Sequence, residues 1–252
     1  MKVELDIRKS ARENAAAYYE EAKKLRAKAD GAEKAAKDME KRIAELEKKI
    51  ASEKVENAER VKVREKRDKE WFERFRWFLT SAGKLCIAGR DARQNEILVG
   101  KYLEKNDLFF HAEIHGAPAT VLKNGIEASA EEREEVAQFA GSYSSAWKDG
   151  YAVVDVYAVS PEQVSKRTES GEAVGKGGFI IRGEREWFKG TPLGLLVGAG
   201  EKGIEVAPEK RGKGAMKSSV LVKVGDVEKG EAARKIVKRL GEGASLDEVV
   251  QA

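Results

Sequence analysis

Residues 70–79 are Glu70-Trp71-Phe72-Glu73-Arg74-Phe75-Arg76-Trp77-Phe78-Leu79, and the composition of the 252-residue chain changes at this stretch. Residues 1–70 are dense in Ala, Glu, Lys and Arg and contain one glycine, Gly31, whereas all other glycines follow the aromatic stretch. In a helix Trp71, Phe75 and Phe78 would share one face, so we predict a helix that docks on a globular domain. The sequence therefore predicts a helical coiled-coil arm at residues 1–70 and a globular domain at residues 71–252.

The arm has the pattern of one long helix. Ser10 and Glu13 have the spacing of a capping box, in which each side chain satisfies a backbone N–H of the other residue. Apolar residues then recur at helical spacing, and from Met39 to Ile50 they alternate three and four residues apart, as in a coiled-coil seam. We predict a helix over residues 10–52, followed by a return arm over residues 51–69 that is partly helical and partly irregular. Asp30-Gly31 leaves two interpretations open, a kink or the turn of a helical hairpin.

The sequence beyond residue 80 mixes strands with helices. Apolar runs bounded by turn residues predict strands at residues 85–88, 108–114, 119–122, 152–159, 179–181, 193–197, 204–206 and 220–224. The predicted helices run over residues 91–103, 129–147 and 231–240, with a last turn capped by Ser245. Elements mixed in this order, with hairpins among them, indicate an α+β fold, in which the long helical arm precedes a mixed α/β domain.

Composition restricts the classes of function. Charged residues make up 37% of the chain, against about 25% in ordinary globular domains, so a solvated charged element is expected. The net charge of +4 is compatible with nucleic-acid binding without requiring it. Cys86 is the only cysteine, which excludes an internal disulfide and favours a reducing cytoplasm. No apolar run reaches the roughly 20 residues of a membrane span, and Met1-Lys2-Val3-Glu4 is too polar for a signal peptide.

Basic residues beside turns and helix starts are the first binding candidates. Arg90 and Arg93 flank a predicted helix start that also includes Asn95, and guanidinium groups there favour a phosphate site. Asp91 at the cap competes with an anion, so solvated arginines are the alternative. Lys176, in the turn Gly175-Lys176-Gly177-Gly178, could meet an RNA backbone, although this stretch lacks the spacing of a phosphate-binding P-loop and an ordinary hairpin is equally expected.

Two other pairs of candidates carry a catalytic alternative, and two aromatic residues carry a packing alternative. His111 and His115, the only histidines, are too few for a structural zinc site, which takes four ligands; we expect them to order a turn or to stack on a base. Ser165 and Lys166 are adjacent, so on a strand they would point to opposite faces and not form a dyad. We therefore expect Lys166 and Arg167 to form a basic loop or plain surface. Tyr143 and Trp187 could stack on bases, although core or rim packing is commoner.

Several stretches resemble the C-terminal half of the NFACT family of ribosome quality-control factors. An early Glu13-Asn14-Ala15 with Tyr18-Tyr19 is similar to the start of the coiled coil in that family. The further stretches are residues 71–78, Gly89-Arg90-Asp91-Ala92-Arg93-Gln94-Asn95-Glu96, Phe110-His111-Ala112-Glu113-Ile114-His115-Gly116-Ala117-Pro118, Gln163-Val164-Ser165-Lys166 and Gly178-Phe179-Ile180-Ile181-Arg182-Gly183.

The resemblance implies a coiled coil followed by an NFACT-R (RNA-binding) domain. It further implies binding to large ribosomal subunits that carry a stalled peptidyl-tRNA. Tailing of the nascent chain relies on an NFACT-N domain that the resemblance does not include, so tailing is not expected here. The leading hypothesis is a cytoplasmic RNA- and tRNA-binding module, without catalysis, cofactor, metal or membrane contact, that uses Arg90, Arg93, Asn95, His111, His115, Lys166, Arg167, Lys176 and Arg182.

Two other hypotheses compete with RNA binding. The arm could be a scaffold that recruits a protein partner or self-associates through its apolar seam, without direct RNA contact. A hydrolase that uses His111 and His115 is the third hypothesis, although these are the only two histidines and Cys86 is the only thiol.

Overall fold

The computed structural model describes residues 4–62, 68–166, 175–200, 202–212, 216, 218–241 and 244–251, with side chains described except at 49–62. The chain divides into two compact units, residues 1–66 and residues 67–252. The α+β fold class is confirmed, since a long helix precedes a region of antiparallel sheets and shorter helices. No helix in the described ranges has both the length and the apolar character that crossing a bilayer requires.

The first unit contains helix α1 (Ala11–Lys62). The predicted capping box is present, since the Ser10 N–H donates to Glu13 Oε2 at 2.8 Å and the Glu13 N–H donates to Ser10 Oγ at 3.3 Å. Helix α1 continues through Asp30 and Gly31, so the hairpin interpretation is wrong. Residues 51–62 are helical, as the prediction partly had them, but they continue α1, so a return of the chain over these residues is wrong. Ala, Glu, Lys and Arg there outweigh the small penalty of the valines. Residues 63–67 lie outside the described residues.

The second unit is built on a six-stranded antiparallel sheet in the order β1-β2-β4-β3-β5-β8. A three-stranded sheet in the order β10-β9-β11 and a two-stranded β6-β7 ribbon accompany it. The strands are β1 (Arg76–Leu79), β2 (Leu85–Ala88), β3 (Leu108–Ala112), β4 (Thr120–Leu122), β5 (Val153–Val159), β6 (Val164–Ser165), β7 (Ile180–Ile181), β8 (Glu186–Pro192), β9 (Leu195–Gly200), β10 (Gly203–Pro208) and β11 (Ser218–Val222).

The helices of this unit are short except for two. They are α2 (Ala92–Ile97), which a π-turn at Leu98–Tyr102 continues, α3 (Ala130–Ser142), α4 (Ser145–Lys148), α5 (Lys229–Leu240) and α6 (Leu246–Gln251). The predicted caps hold, since Asp91 accepts from the N–H of Gln94 and Ser129 from that of Glu132. The helix predicted over residues 129–147 ends at Ser142, because Ser144 adopts an extended conformation and caps α4.

The six-stranded sheet has a core on each face because successive side chains of a strand point to opposite sides. Phe110 belongs to the core under α3, where Phe78 and Phe139 meet at 4.7 Å between ring centroids. Phe109, the preceding residue, belongs to the other core, with Phe75 and Tyr157. Both faces of the sheet are therefore committed to core packing, and the side chains that a ligand can reach lie at the ends and edges of the sheet.

The aromatic stretch at residues 70–79 departs from the prediction. It forms a 3-10 turn at Trp71–Arg74 and then strand β1, not a helix. β1 pairs antiparallel with β2, from Arg76 opposite Ala88 to Leu79 opposite Leu85. Aromatic residues fit a half-buried pleated surface well, and the available partner strand β2 favours a strand over a helix here. This difference changes which way Arg76 points.

Candidate functional site

A cleft of about 550 Å³ lies at the end of the six-stranded sheet where β2 and β3 end and β1 and β4 begin. Three backbone segments form its rim, namely residues 89–92 before and at the start of α2, residues 114–118 between β3 and β4, and the glycine-rich residues 175–178. The rings of Phe109, Tyr143, Tyr157 and Phe179 line its walls together with several basic side chains.

The segment that leads into α2 is fixed by backbone contacts. The Gly89 N–H donates to the Ala119 carbonyl at 3.1 Å, and the Ala119 N–H donates to Asn95 Oδ1 at 3.2 Å. A Cβ on Gly89 would lie 2.0 Å from Asn95 Oδ1, so no larger residue fits. Asn95 is buried and holds the rim in place, which differs from the RNA contact that the sequence predicted for it.

Glu96 ties the glycine-rich segment to α2. Its Oε1 accepts from Lys166 Nζ at 2.5 Å and from the Gly177 N–H at 3.1 Å. Gly177 has a φ of +79°, and a Cβ there would lie 2.7 Å from the Ala92 Cβ. Glycine is therefore required both by the backbone conformation and by the lack of space. The hydrogen bond from Lys166, followed by that from Gly177, lowers the pKa of Glu96 below its ordinary value. Lys166 therefore serves first as an internal partner of Glu96.

Arg76 places a positive charge at the base of the cleft. Its guanidinium lies 4.4 Å from the centroid of the Tyr143 ring, and Nη1 donates to the Gly89 carbonyl at 3.0 Å. Burial lowers the pKa of Arg76, yet a guanidinium stays protonated at any ordinary pH. Burial raises the pKa of Tyr143 to about 12, so the phenol is neutral. Among the described residues Arg76 Nε has no hydrogen-bond partner, which leaves this cation incompletely compensated.

Arg90 and Lys176 add two further positive charges to the lining. Arg90 Nη1 donates to the Gln251 carbonyl at 2.7 Å, and Nη2 donates to the Phe75 carbonyl at 3.4 Å. Carbonyl partners orient the guanidinium without neutralising it. Asp91 is the acidic residue of the lining, and its Oδ1 is engaged as the cap of α2. The lining therefore has more positive than negative charge.

The two histidines occupy different environments. His111 is half-buried on β3, and burial is the main cause of its lowered pKa, so its imidazole is neutral at pH 7. His115 is exposed on the rim, and its carbonyl accepts from Ser145 Oγ at 2.6 Å. Within the described residues no three His, Cys, Asp or Glu side chains form a group that could hold a metal ion.

The structure brings five of the sequence-predicted residues to the cleft, namely Arg90, Asn95, His111, His115 and Lys176. Three others lie outside its lining. Arg93 is exposed on the first turn of α2, Lys166 pairs with Glu96, and Arg182 is exposed directly after β7, where its N–H donates to the Gln163 carbonyl at 2.9 Å. Arg167 lies outside the described residues.

Sequence reasoning missed Arg76 and the cleft roles of Phe109, Tyr157 and Phe179. Arg76 was passed over because the helix predicted for residues 71–79 leaves it on the outer face. A strand interpretation would have found it, since Arg76 then shares a face with Phe78 and must enter the protein. No local signal marks the three rings, which look like core residues and become cleft walls only at the sheet end.

Comparisons with known proteins identify relatives of this chain. Residues 74–183 match the family model described as the NFACT protein RNA binding domain, and this range holds every described residue of the cleft lining. Over 247 residues the chain is 46% identical to the archaeal Rqc2 homolog aRqcH of Methanocaldococcus jannaschii, an alignment that covers 96% of this chain. The chain belongs to the NFACT family. Its similarity extends to the human ribosome quality control complex subunit NEMF, at 35% identity over 191 residues and 73% of this chain.

These NFACT relatives are longer proteins. The chain spans 36% of the length of the archaeal relative and 17% of the human one. A solved structure of the C-terminal part of the fibronectin/fibrinogen-binding protein from Streptococcus suis covers 51% of this chain at 25% identity, with a TM-score of 0.41. That score is too low to bear on the assignment.

Proposed function

We propose that this NFACT chain is an RNA-binding module of cytoplasmic ribosome-associated quality control, and that it docks on large ribosomal subunits that carry a stalled peptidyl-tRNA. Its partners would be rRNA and tRNA. The family description, an RNA binding domain, and the names of the relatives, ribosome quality control subunits, support this proposal. The cleft at the sheet end is the contact surface that we assign to RNA.

The observation that carries the proposal is the convergence of Arg76, Arg90 and Lys176 on one concave site with aromatic walls. Guanidinium and ammonium groups attract phosphate, and rings accept bases by stacking. Arg76 and Arg90 are held in place by carbonyl groups of Gly89, Phe75 and Gln251, so little side-chain freedom is lost when a phosphate binds. A preorganised cationic cleft of this kind favours a polyanion over a neutral ligand.

We assign no catalysis and no cofactor to this chain. Within the described residues no group of three His, Cys, Asp or Glu side chains could complete a metal site with His111 and His115, and Lys166 is committed to Glu96. Neither a histidine hydrolase nor a Ser165–Lys166 dyad therefore has support in the geometry. The role we propose for the cleft is recognition.

Co-sedimentation with purified large subunits, with and without peptidyl-tRNA, tests the proposal. Binding should weaken steeply with salt because phosphate contacts release counterions. Lys176→Glu should lower the affinity at least about tenfold and reduce the salt slope by about 1. Lys105→Glu, the same change at an exposed lysine outside the cleft, is the matched control and should bind normally. Binding that ignores salt, or equal behaviour of the two variants, would contradict the assignment of RNA to the cleft.

The apolar seam of α1 supports a second candidate function, a coiled-coil scaffold that self-associates or recruits a protein partner. Leu25, Met39, Ile43 and Leu46 are all exposed along the described part of this helix. Such a seam is normally covered by another helix.

Analytical ultracentrifugation of the full chain tests whether it self-associates. Ile43→Lys should dissociate a dimer formed through the seam, whereas Glu45→Lys, which introduces the same residue on the outward face, should leave it intact. A chain that is monomeric at all accessible concentrations would remove self-association, and an RNA affinity unchanged by Ile43→Lys would separate the scaffold from the RNA site.

A further inference from the structure

We infer that the cleft selects unpaired nucleotides, and that a single RNA strand leaves it across the sheet and stacks on Trp187. This inference rests on the proposed function, because it names the form of RNA that the same cleft takes. It assigns a role to an exposed aromatic residue on strand β8, outside the cleft lining and beyond the stretch that the family model matches.

Three ring side chains form a row across neighbouring strands. His111 on β3 is the cross-strand partner of Tyr157 on β5, and Tyr157 is the partner of Trp187 on β8. The ring centroids of His111 and Tyr157 are 5.9 Å apart, and those of Tyr157 and Trp187 are 5.5 Å apart. Direct cross-strand partners lie on one face of a sheet. The row therefore runs along one face of the sheet, perpendicular to the strands.

The row begins inside the cleft and ends in solvent. His111 and Tyr157 line the cleft, and Tyr157 is buried. Trp187 lies outside the lining and is 39% exposed at the edge strand of the sheet. Two interstrand spacings, about 10 Å, separate the ends of the row. This length exceeds the rise of one base step, about 3.4 Å, so more than one nucleotide can follow it.

Two cations are positioned along the outer half of the row. The guanidinium of Arg185 lies 4.5 Å from the Tyr157 centroid and 5.6 Å from that of Trp187, and the ammonium of Lys189 lies 3.9 Å from Trp187. Arg185 pairs with Glu113 at 3.1 Å. Lys189 pairs with Asp155 at 2.9 Å, at the bulge where the β5–β8 register shifts. Each cation is therefore held beside a ring by an acidic partner.

The charges divide the surface into two parts. Glu113 and Asp155 balance Arg185 and Lys189, so the outer end is close to neutral. The uncompensated positive charge lies in the cleft, at Arg76, Arg90 and Lys176. Phosphate attraction is therefore strongest in the cleft, and the Trp187 end contributes mainly a stacking platform, to which the planar Arg185 adds.

This division favours unpaired RNA. In a duplex the base faces are stacked on one another, and only base edges, sugars and phosphates reach a protein. Rings and a guanidinium plane recognise base faces, which a single strand exposes. A concave cleft followed by an aromatic surface therefore fits one strand with its bases turned toward the protein.

The test compares one fluorescently labelled RNA of about eight nucleotides, a typical single-strand site size, as a single strand and annealed into a duplex. The full-length protein should bind the single strand at least about tenfold more tightly. Trp187→Leu should weaken single-strand binding about 5- to 100-fold, as expected for one lost base-stacking contact, and leave duplex binding unchanged. Trp187→Phe, which keeps a ring, should retain most of the affinity.

Trp71→Leu is the matched control, since Trp71 is similarly exposed but stacks on Tyr102 away from the cleft. Quenching of tryptophan fluorescence by the single strand should persist in Trp71→Leu and shrink in Trp187→Leu. Suppose that Lys176→Glu weakens RNA binding, but strand and duplex bind equally and Trp187→Leu has no effect. That result overturns this inference and leaves the proposed function standing. If neither RNA binds at any salt concentration, both are overturned.

Discussion

Single residues at the rim of the cleft have structural partners that their sequence context does not reveal. Lys166 follows a serine in a basic stretch and suggests a phosphate ligand, yet it pairs with Glu96, seventy positions away along the chain. Glu96 in turn accepts from the Gly177 N–H. One carboxylate therefore holds both a lysine and the glycine-rich segment, and the shape of the cleft depends on its ionisation.

We predict that the stability contribution of Glu96 is lost in acid. The pKa of Glu96 is lowered in the folded state, so the unfolded chain binds more protons as the pH falls below the ordinary glutamate value of about 4.3. The contribution is complete above that value and disappears as the pH falls through the folded-state pKa. Denaturant unfolding at a series of pH values should show a smaller acid-induced loss in Glu96→Gln than in the parent chain.

Glu127→Gln, at an exposed glutamate outside the cleft, is the control for this effect and should keep the parental pH profile. The Gly177 amide resonance should also titrate with Glu96 in the parent and not in Glu96→Gln. An amide shift that does not change between neutral and acidic pH would show that the contact is absent in solution.

At the scale of elements, the approach of α2 to the sheet depends on a position without a side chain. Gly89 ends the path from β2 into α2, and its Cα faces both the side chain and the backbone N of Asn95. Overpacking of this kind typically costs about 1–3 kcal/mol, because neighbours must shift.

We therefore expect Gly89→Ala to lower the free energy of unfolding by about 1–3 kcal/mol and to weaken RNA binding, since residues 89–92 form the cleft rim. Gly100→Ala is the matched control, because a Cβ there meets nothing within 4 Å. It should be neutral or slightly stabilising. Thermal or denaturant unfolding compares the two variants, and equal effects would show that the close Gly89–Asn95 approach is not maintained.

The elements also show where sequence patterns suffice. The caps at Ser10, Asp91 and Ser129 formed as predicted, because a capping box needs only residues within one turn. Residues 71–79 did not form the predicted helix, because their aromatic pattern fits a helix face and a strand equally. Pairing with β2 selects the strand. Strand β8 was not predicted, since its lysine, glycine and proline resemble a loop and are tolerated only at a sheet edge.

At the scale of the whole molecule, the two units have different sources of stability. The described part of α1 has its apolar seam exposed, and helices without tertiary packing depend on marginal local propensity. The second unit has two hydrophobic cores, one on each face of its main sheet. All four tryptophans lie between residues 71 and 187, so their fluorescence reports on the second unit alone.

We predict that heating gives two transitions, with helical ellipticity beginning to fall at a lower temperature than the change in tryptophan fluorescence. A cooperative two-state chain would instead give coincident curves. Ile43→Lys should move only the ellipticity curve if the seam self-associates. Phe139→Ala, which empties a fully buried core position, should move the fluorescence curve and lower the free energy of unfolding of the second unit by about 3–5 kcal/mol. Coincident curves in the parent chain would refute the independence of the two transitions.

The sequence by itself determined the α+β class, the long N-terminal helix, most strands and the family, because caps, alternation and motif order are local or linear properties. It also supplied five residues of the cleft. Only the tertiary structure decided what the cleft is made of. Arg76, Tyr143 and Tyr157 meet His111 and Lys176 because strand pairing and core packing bring distant segments to one end of a sheet. The same packing commits Asn95, which is buried and therefore needs a partner, and the half-buried Lys166 to internal hydrogen bonds.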